Sequence, residues 1–139
     1  MPKNINKKYY ILIAEDGNIN FLLLKTVIQK VAPVECEIIR AENGQIAIDI
    51  CKTNRDIDLV LMDIEMPIMN GFDATEKIKK IYPELPIIAQ TAYTSKENRS
   101  KAFRVGCSDF ISKPIRRERI ADVLSKYLSE YTNLLNKVS

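Results

Sequence analysis

Five residues that can bind or neutralise charged groups stand at the ends of apolar runs in this sequence. They are Glu15, Asp16, Asp63, Thr91 and Lys113. If the three carboxylates meet without a counter-ion they repel one another, so either one stays protonated or a cation neutralises them. A hard divalent ion is the simplest answer, and Mg²⁺, which prefers oxygen ligands and keeps several waters, suits Asp16 and Asp63 better than Ca²⁺ does. With Mg²⁺ and Lys113, three negative charges face three positive charges.

The apolar runs have the length and composition of strands, and segments of helical periodicity separate them. Strict alternation of strands and helices predicts a parallel sheet with helices on both faces. Because the connections are right-handed crossovers, strands one, three, four and five end at the same edge, where the five residues meet. Asn18 is predicted to cap the first helix, and Gly106 to end the fourth. The predicted strands are 9–14, 34–41, 58–63, 86–91 and 108–112, and the predicted helices are 19–31, 44–52, 72–81, 95–105 and about 116–136.

Asp63 ends the most apolar of these runs, in which Leu59 to Met62 are all apolar. Such a run indicates a strand covered on both faces, and open α/β sheets hold their chemistry at the carboxyl end of such strands. Each candidate also has an ordinary explanation. A lone aspartate can cap a turn, an acidic pair can be a solvated loop, a strand threonine can serve packing, and most lysines lie on the surface.

Composition narrows the class of protein. The 139 residues suffice for one domain, 1–139, and no stretch approaches the roughly 20 apolar residues of a membrane span. The 21 basic and 18 acidic residues are spread along the chain, which argues against direct contact with nucleic acid. The sequence contains no histidine, which excludes histidine-based metal sites and triads in this chain. Three widely spaced cysteines and a polar N-terminus without a secretion signal indicate reduced thiols and a cytoplasmic location.

Four segments resemble the receiver domains of two-component response regulators, more specifically those of hybrid histidine kinases. The segments are ILIAEDGNIN, LVLMDIEMPIMNGFDA, PIIAQTAY and GCSDFISKPI. Each is a weak indication alone, but all four in this order on predicted strand ends are specific. The resemblance covers about residues 9–128 and implies a doubly wound, flavodoxin-like sheet of five parallel strands in the order 2-1-3-4-5.

The resemblance also implies a function: Asp63 accepts a phosphoryl group from a phosphohistidine, forming an aspartyl phosphate. Thr91 and Lys113 would then contact the phosphoryl group. The Mg²⁺ ligands implied by the family are Glu15, Asp16, Asp63 and the backbone carbonyl of Glu65.

Phosphorylation in this family acts as a switch. The resemblance implies that Thr91 moves toward the phosphoryl oxygens and that Phe110, three residues before Lys113, fills the vacated space. The family also has a cis peptide bond between Lys113 and the proline that follows it. Gly17, where receivers usually carry a side chain, departs from the pattern. Glu65 and Tyr93, two residues after Asp63 and Thr91, occupy positions that vary across the family and leave the lifetime of the phosphorylated state open.

The phosphoryl donor must be another molecule, a histidine kinase or a histidine phosphotransfer protein, because this chain lacks histidine. The first helix is the predicted docking surface. Leu22 falls within its polar arc and Ile19 near the margin of that arc, so both are expected to be exposed beside Pro114.

Two alternatives share the fold. A flavodoxin-like electron carrier would have to hold an anionic FMN phosphate in the first loop, which Glu15 and Asp16 would repel. A pseudo-receiver would act as a docking module without phosphorylation, which the complete set of site residues disfavours. Whether the receiver stands alone or belongs to a larger kinase stays open.

Overall fold

The computed structural model describes residues 7–128, in which strands and helices alternate without exception. The strands are β1 (Tyr9–Ala14), β2 (Cys36–Ala41), β3 (Ile57–Asp63), β4 (Ile87–Thr91) and β5 (Asp109–Ser112). The helices are α1 (Asn18–Val31), α2 (Gly44–Thr53), α3 (Gly71–Ile81), α4 (Lys96–Val105) and α5 (Arg117–Leu128). The predicted extension of the last helix to about residue 136 lies outside the described residues. No helix within 7–128 is long and apolar enough to cross a membrane.

All five strands pair in parallel, in the order β2-β1-β3-β4-β5, which confirms the predicted sheet. The register aligns the strand ends that matter for the site. Ala14 pairs with Met62 and Asp63 with Gln90, so the ends of β1, β3 and β4 lie side by side. Residues that are far apart in the chain therefore lie together at one edge of the sheet.

Two hydrophobic layers cover the sheet and fix the positions of those strand ends. One layer packs α2, α3 and α4 against one face, through residues such as Ala47, Phe72 and Ala102. The other packs α1 and α5 against the opposite face, through residues such as Leu24 and Leu124. Burying each large aliphatic side chain contributes about 1.5–3 kcal/mol. Covering on both faces is why β3 is apolar throughout rather than alternating.

One predicted cap is wrong. Asn18 is the first residue of α1, and Gly17 occupies the cap position with no side-chain hydrogen bond. Instead of capping the helix, the Asn18 side chain accepts a hydrogen bond from Nη1 of Arg40, a residue of β2, at 2.9 Å. Gly106 ends α4 in the left-handed region, with φ 116°, as predicted. The other helix and strand bounds within residues 7–128 agree with prediction to within two residues.

Candidate functional site

Three carboxylates converge at the carboxyl ends of β1 and β3. One oxygen each from Glu15, Asp16 and Asp63 lies within 4.8 Å of the other two. Glu15 and Asp63 are buried, with 2% and 1% of their surfaces exposed, whereas Asp16 is open to solvent. The pairing of β1 with β3 brings these residues together across nearly 50 positions of sequence. The predicted acidic cluster therefore exists, with two carboxylates inside and one at the rim.

Lys113 supplies the cation of the cluster. Its Nζ lies 3.0 Å from Asp63 Oδ2 and 3.8 Å from Glu15 Oε1. Its backbone N–H donates to the carbonyl of Thr91 at 2.9 Å, which fixes the residue beside the end of β4. The peptide bond from Lys113 to Pro114 is cis, as expected.

Burial is the largest single influence on the pKa of each buried or half-buried group in this cluster. It raises the pKa of Asp63, against the hydrogen bond and charge of Lys113, which lower that pKa. Burial also raises the pKa of Glu15, and the charge of Asp63 adds to that rise. For Lys113, burial alone would lower the pKa, but the hydrogen bond and charge of Asp63 outweigh it and raise the pKa. Lys113 therefore stays charged, and the two buried carboxylates lack sufficient positive charge.

The donor set fits a hard divalent cation. Glu15 Oε1 is buried and has no hydrogen-bond partner in the part of the chain that the structure describes. An orphaned carboxylate oxygen beside two further carboxylates is the arrangement that Mg²⁺ satisfies, since it takes oxygen ligands and carries two positive charges. Glu15, Asp16 and Asp63 are thus placed to hold the ion, and the backbone carbonyl of Glu65 remains a predicted ligand.

Thr91 is fully buried at the end of β4, where its hydroxyl donates to Oε2 of Glu65. The backbone N–H of Ala92 donates to Oε1 of the same carboxylate at 3.3 Å. The sequence predicts a backbone metal ligand at Glu65, a position that varies among receivers, but it does not predict these contacts of the Glu65 side chain. The position of Glu65, two residues after Asp63, was the only available signal. Phe110, the other predicted switch residue, is buried in β5, with 8% of its surface exposed.

The predicted docking residues are exposed beside this cluster. Ile19 is 82% and Leu22 58% exposed on α1, and Pro114 is also exposed. Leu23, which helical periodicity does not predict to be exposed, is 53% exposed and lines a cavity of about 120 Å³. That cavity also contacts Pro114 and the buried Glu15, so the apolar surface reaches the acidic site.

The sequence matches a family model described as "Response regulator receiver domain" over residues 11–125. The chain belongs to this family. Hybrid signal transduction histidine kinase L of Dictyostelium discoideum is 36% identical over 126 residues, which cover 84% of this chain but 7% of that kinase. The polar-differentiation response regulator DivK of Brucella anthropi is 33% identical over 132 residues, 94% of this chain and 99% of that protein. This receiver domain thus spans a small part of the first relative and nearly all of the second.

Solved structures agree with the fold. The receiver domain of Ssk1, in its complex with the histidine phosphotransfer protein Ypd1 of Saccharomyces cerevisiae, is 26% identical with a TM-score of 0.76, over 89% of this chain and 91% of that one. The receiver domain of the sensor histidine kinase PA1611 of Pseudomonas aeruginosa is 24% identical with a TM-score of 0.77, over 87% and 98% of the two chains. In that structure a magnesium ion is coordinated in the active-site cleft.

The chain is therefore a receiver domain of two-component systems, with the phosphoacceptor role that defines this family. The match to the receiver family argues against a flavodoxin-like electron carrier. The acidic first loop, which would repel an FMN phosphate, is the physical reason.

Proposed function

We propose that Asp63 is the residue that accepts the phosphoryl group, taken from a phosphohistidine of a partner protein. The observation that carries this proposal is the contact at 3.0 Å between the buried Asp63 carboxylate and Lys113, inside the acidic cluster. No other carboxylate among residues 7–128 ends a central strand beside both the acidic pair and a lysine. Asp16 is exposed, and Glu15 is farther from Lys113 than Asp63 is.

The step is a direct transfer. A carboxylate oxygen of Asp63 forms a bond to phosphorus as the bond from phosphorus to the imidazole nitrogen breaks, and the bonding electron pair stays on that nitrogen. Positioning and electrostatics contribute most of the rate, because the transition state of phosphoryl transfer is loose. Lys113 holds Asp63 in place and offers positive charge to the incoming group.

Two further donors, the Thr91 hydroxyl and the Ala92 N–H, already bind a carboxylate and would donate to phosphoryl oxygens in the same way. Glu15, Asp16 and Asp63 would hold Mg²⁺, together with the carbonyl of Glu65. When bound, the ion neutralises negative charge on the carboxylates and on the phosphoryl oxygens. These residues form the machinery by which the domain promotes its own phosphorylation.

The mass of the protein after incubation with acetyl phosphate tests the proposal. With Mg²⁺ the wild type should gain one phosphoryl group, and with EDTA it should gain none. Asp63→Asn, which keeps the size of the side chain but only one of its two acceptor oxygens, should gain none under either condition. A gain of the same mass by Asp63→Asn would show that another residue is the acceptor. A wild type that is never modified would support the pseudo-receiver alternative.

The partner would dock on α1. A helix bundle that carries the phosphohistidine needs an apolar surface next to Asp63, and Ile19, Leu22 and Leu23 offer one that continues toward Pro114. Such docking aligns the two reacting groups and removes much of the entropic cost of their encounter.

Replacing Leu22 by aspartate tests the docking surface. Transfer from a cognate phosphohistidine protein should slow, while phosphorylation by acetyl phosphate should not change. Gln29→Asp, at an exposed neutral residue of the same helix, is the matched control for a new acidic residue. Equal effects of Leu22→Asp on both donors would contradict the assignment.

We further propose that residues 1–139 act as one receiver domain in the cytoplasm. A single sheet with two covering layers accounts for all of residues 7–128, and the three cysteines are free thiols, which suits a reducing compartment. One cooperative urea transition by both fluorescence and circular dichroism is the expected result.

A further inference from the structure

The side chain of Glu65 occupies both donors at the end of β4. Its Oε2 accepts from the Thr91 hydroxyl, and its Oε1 accepts from the Ala92 N–H at 3.3 Å. The Thr91 hydroxyl oxygen accepts in turn from the N–H of Tyr93 at 2.9 Å, so its own proton is committed to Glu65. In the unphosphorylated protein these two donors therefore face a carboxylate that the domain itself supplies.

Backbone geometry holds Glu65 at this position. Its N–H donates to Asp63 Oδ1 at 3.0 Å, which ties the residue directly to the acceptor carboxylate. The register of β3 and β4 pairs Asp63 with Gln90, so the residues that follow each strand face one another. One residue thus contacts Asp63 through its backbone and Thr91 through its side chain.

We propose that Glu65 is an internal substitute for the phosphoryl group, a latch that holds Thr91 and Ala92 in the resting state. This inference rests on the proposed role of Asp63 as acceptor. A phosphoryl group carries about −1.5 to −2 charges and three acceptor oxygens, so it competes for the same two donors. Two anions cannot share both donors without repulsion, and the Glu65 carboxylate must leave as the phosphoryl group arrives.

The latch slows phosphorylation because its release is part of the reaction. Glu65→Ala frees the two donors before the phosphoryl group arrives and leaves the backbone carbonyl of residue 65 unchanged. Hydrogen bonds to a charged group are strong enough that their prior removal should raise the rate roughly tenfold. Glu65→Gln keeps one acceptor oxygen, which can bind Thr91 but not both donors, and should give a rate between the two.

The intermediate rate of Glu65→Gln separates the latch from simple charge repulsion. If Glu65 only repelled the incoming phosphoryl group, glutamine and alanine would accelerate the reaction equally, because both remove the charge. A double-mutant cycle with Thr91→Ala gives a second distinction. Under the latch, the gain from Glu65→Ala shrinks when Thr91 has no hydroxyl, whereas charge repulsion would leave the gain intact.

The experiment measures two quantities in the full chain. The first is the rate of phosphorylation by acetyl phosphate, at Mg²⁺ concentrations that saturate each variant. The second is the hydrogen exchange rate of the Ala92 amide in the unphosphorylated protein, which should rise in Glu65→Ala because its acceptor is gone. Glu76→Ala, which removes an exposed glutamate on α3, should change neither quantity.

The outcomes separate this inference from the proposed function. A faster rate together with faster Ala92 exchange in Glu65→Ala supports the latch. If the wild type is phosphorylated at Asp63 but Glu65→Ala changes neither quantity, the latch is wrong and the acceptor assignment stands. If no phosphorylation of the wild type occurs, both fail. If Glu65→Ala and Glu65→Gln react at the same raised rate, repulsion rather than the latch controls the reaction.

Discussion

Replacing Glu15 by glutamine should stabilise the metal-free protein at neutral pH, although it removes a proposed Mg²⁺ ligand. The side chain of Glu15 is buried, and its Oε1 has no hydrogen-bond partner among the described residues. Burial accordingly raises its pKa, since the charged form is the one that loses most on leaving water. Glutamine has nearly the same shape and no charge to desolvate.

The size of the gain follows from the contacts. Glu15 is attracted by Lys113 at 3.8 Å and repelled by Asp63, whose nearest ligand oxygen lies within 4.8 Å. At an effective dielectric constant of about 20, each interaction is roughly 4 kcal/mol, and their opposite signs nearly cancel. The unsatisfied buried oxygen, at about 1–3 kcal/mol, then decides the sign. Glutamine can keep its amide oxygen on the Gly17 N–H and turn its NH₂ group, in place of the unpaired oxygen, toward the Asp63 carboxylate. We expect Glu15→Gln to raise the free energy of unfolding by about 1–2 kcal/mol.

The gain should depend on pH in one direction. The pKa of Glu15 in the folded protein lies above its ordinary value of 4.5, so the folded state binds more protons between those two values. The free energy of unfolding of the wild type therefore falls as pH rises through that window. Position 15 does not titrate in the glutamine variant, so the advantage should be present at pH 7 and lost below the ordinary value.

Urea denaturation with EDTA, at pH 7 and at about pH 3.5, measures this difference as a shift of the midpoint at constant slope. Added Mg²⁺ should stabilise the wild type more than Glu15→Gln, because the variant has lost a ligand. Glu76→Gln, an exposed substitution of the same kind, should stay within about 0.5 kcal/mol of the wild type. A less stable Glu15→Gln at pH 7, or a gain that persists at pH 3.5, would refute the reasoning.

Three further outcomes are expected. Gly71→Ala should lower the free energy of unfolding by about 1–3 kcal/mol and slow phosphorylation, because the alanine Cβ would lie 2.3 Å from the carbonyl oxygen of Asp63. Urea titrations measure the loss, and an unchanged unfolding midpoint would contradict this packing. Cys51 and Cys107 should resist alkylation by iodoacetamide at pH 8 until the protein unfolds, because burial raises the pKa of both thiols to about 11 and lowers their thiolate fraction. Mass spectrometry would reveal any labelling of the folded protein. A phosphoryl mimic bound with Mg²⁺ should change amide exchange across residues 91–112, and identical protection with and without it would count against the switch.

Local patterns in the sequence were sufficient for the elements of the fold. Helical and strand periodicities are properties of neighbouring residues, so nine of the ten elements could be located to within two residues at both described ends. For the tenth, α5, only the start can be compared, since its predicted end lies beyond residue 128. Alternation of strands and helices implied a parallel sheet, and a parallel sheet places its strand ends at one edge. The positions of Glu15, Asp16, Asp63, Thr91 and Lys113 follow from that rule.

Helical periodicity alone did not predict every exposed residue of α1. The polar arc of the helix correctly identified Ile19 and Leu22 as exposed but not Leu23, because the width of the buried stripe depends on what packs against it. In the structure Leu24 and Ile28 are the buried residues of α1, so more of the helix is left open than its apolar content suggests.

The contact between Glu65, in the loop after β3, and Thr91, at the end of β4, joins residues 26 positions apart, and neither helical nor strand periodicity predicts it. The register of β3 and β4 brings the two residues within reach of each other, and the loop after β3 directs the Glu65 side chain toward Thr91. The sequence shows that a carboxylate follows Asp63 by two residues. The direction of that side chain, however, depends on the conformation of the loop after β3 and on the residues that contact the loop. The pairing of β3 with β4 and of β4 with β5 brings Asp63, Lys113 and Glu65 into one site, which is a property of the folded chain alone.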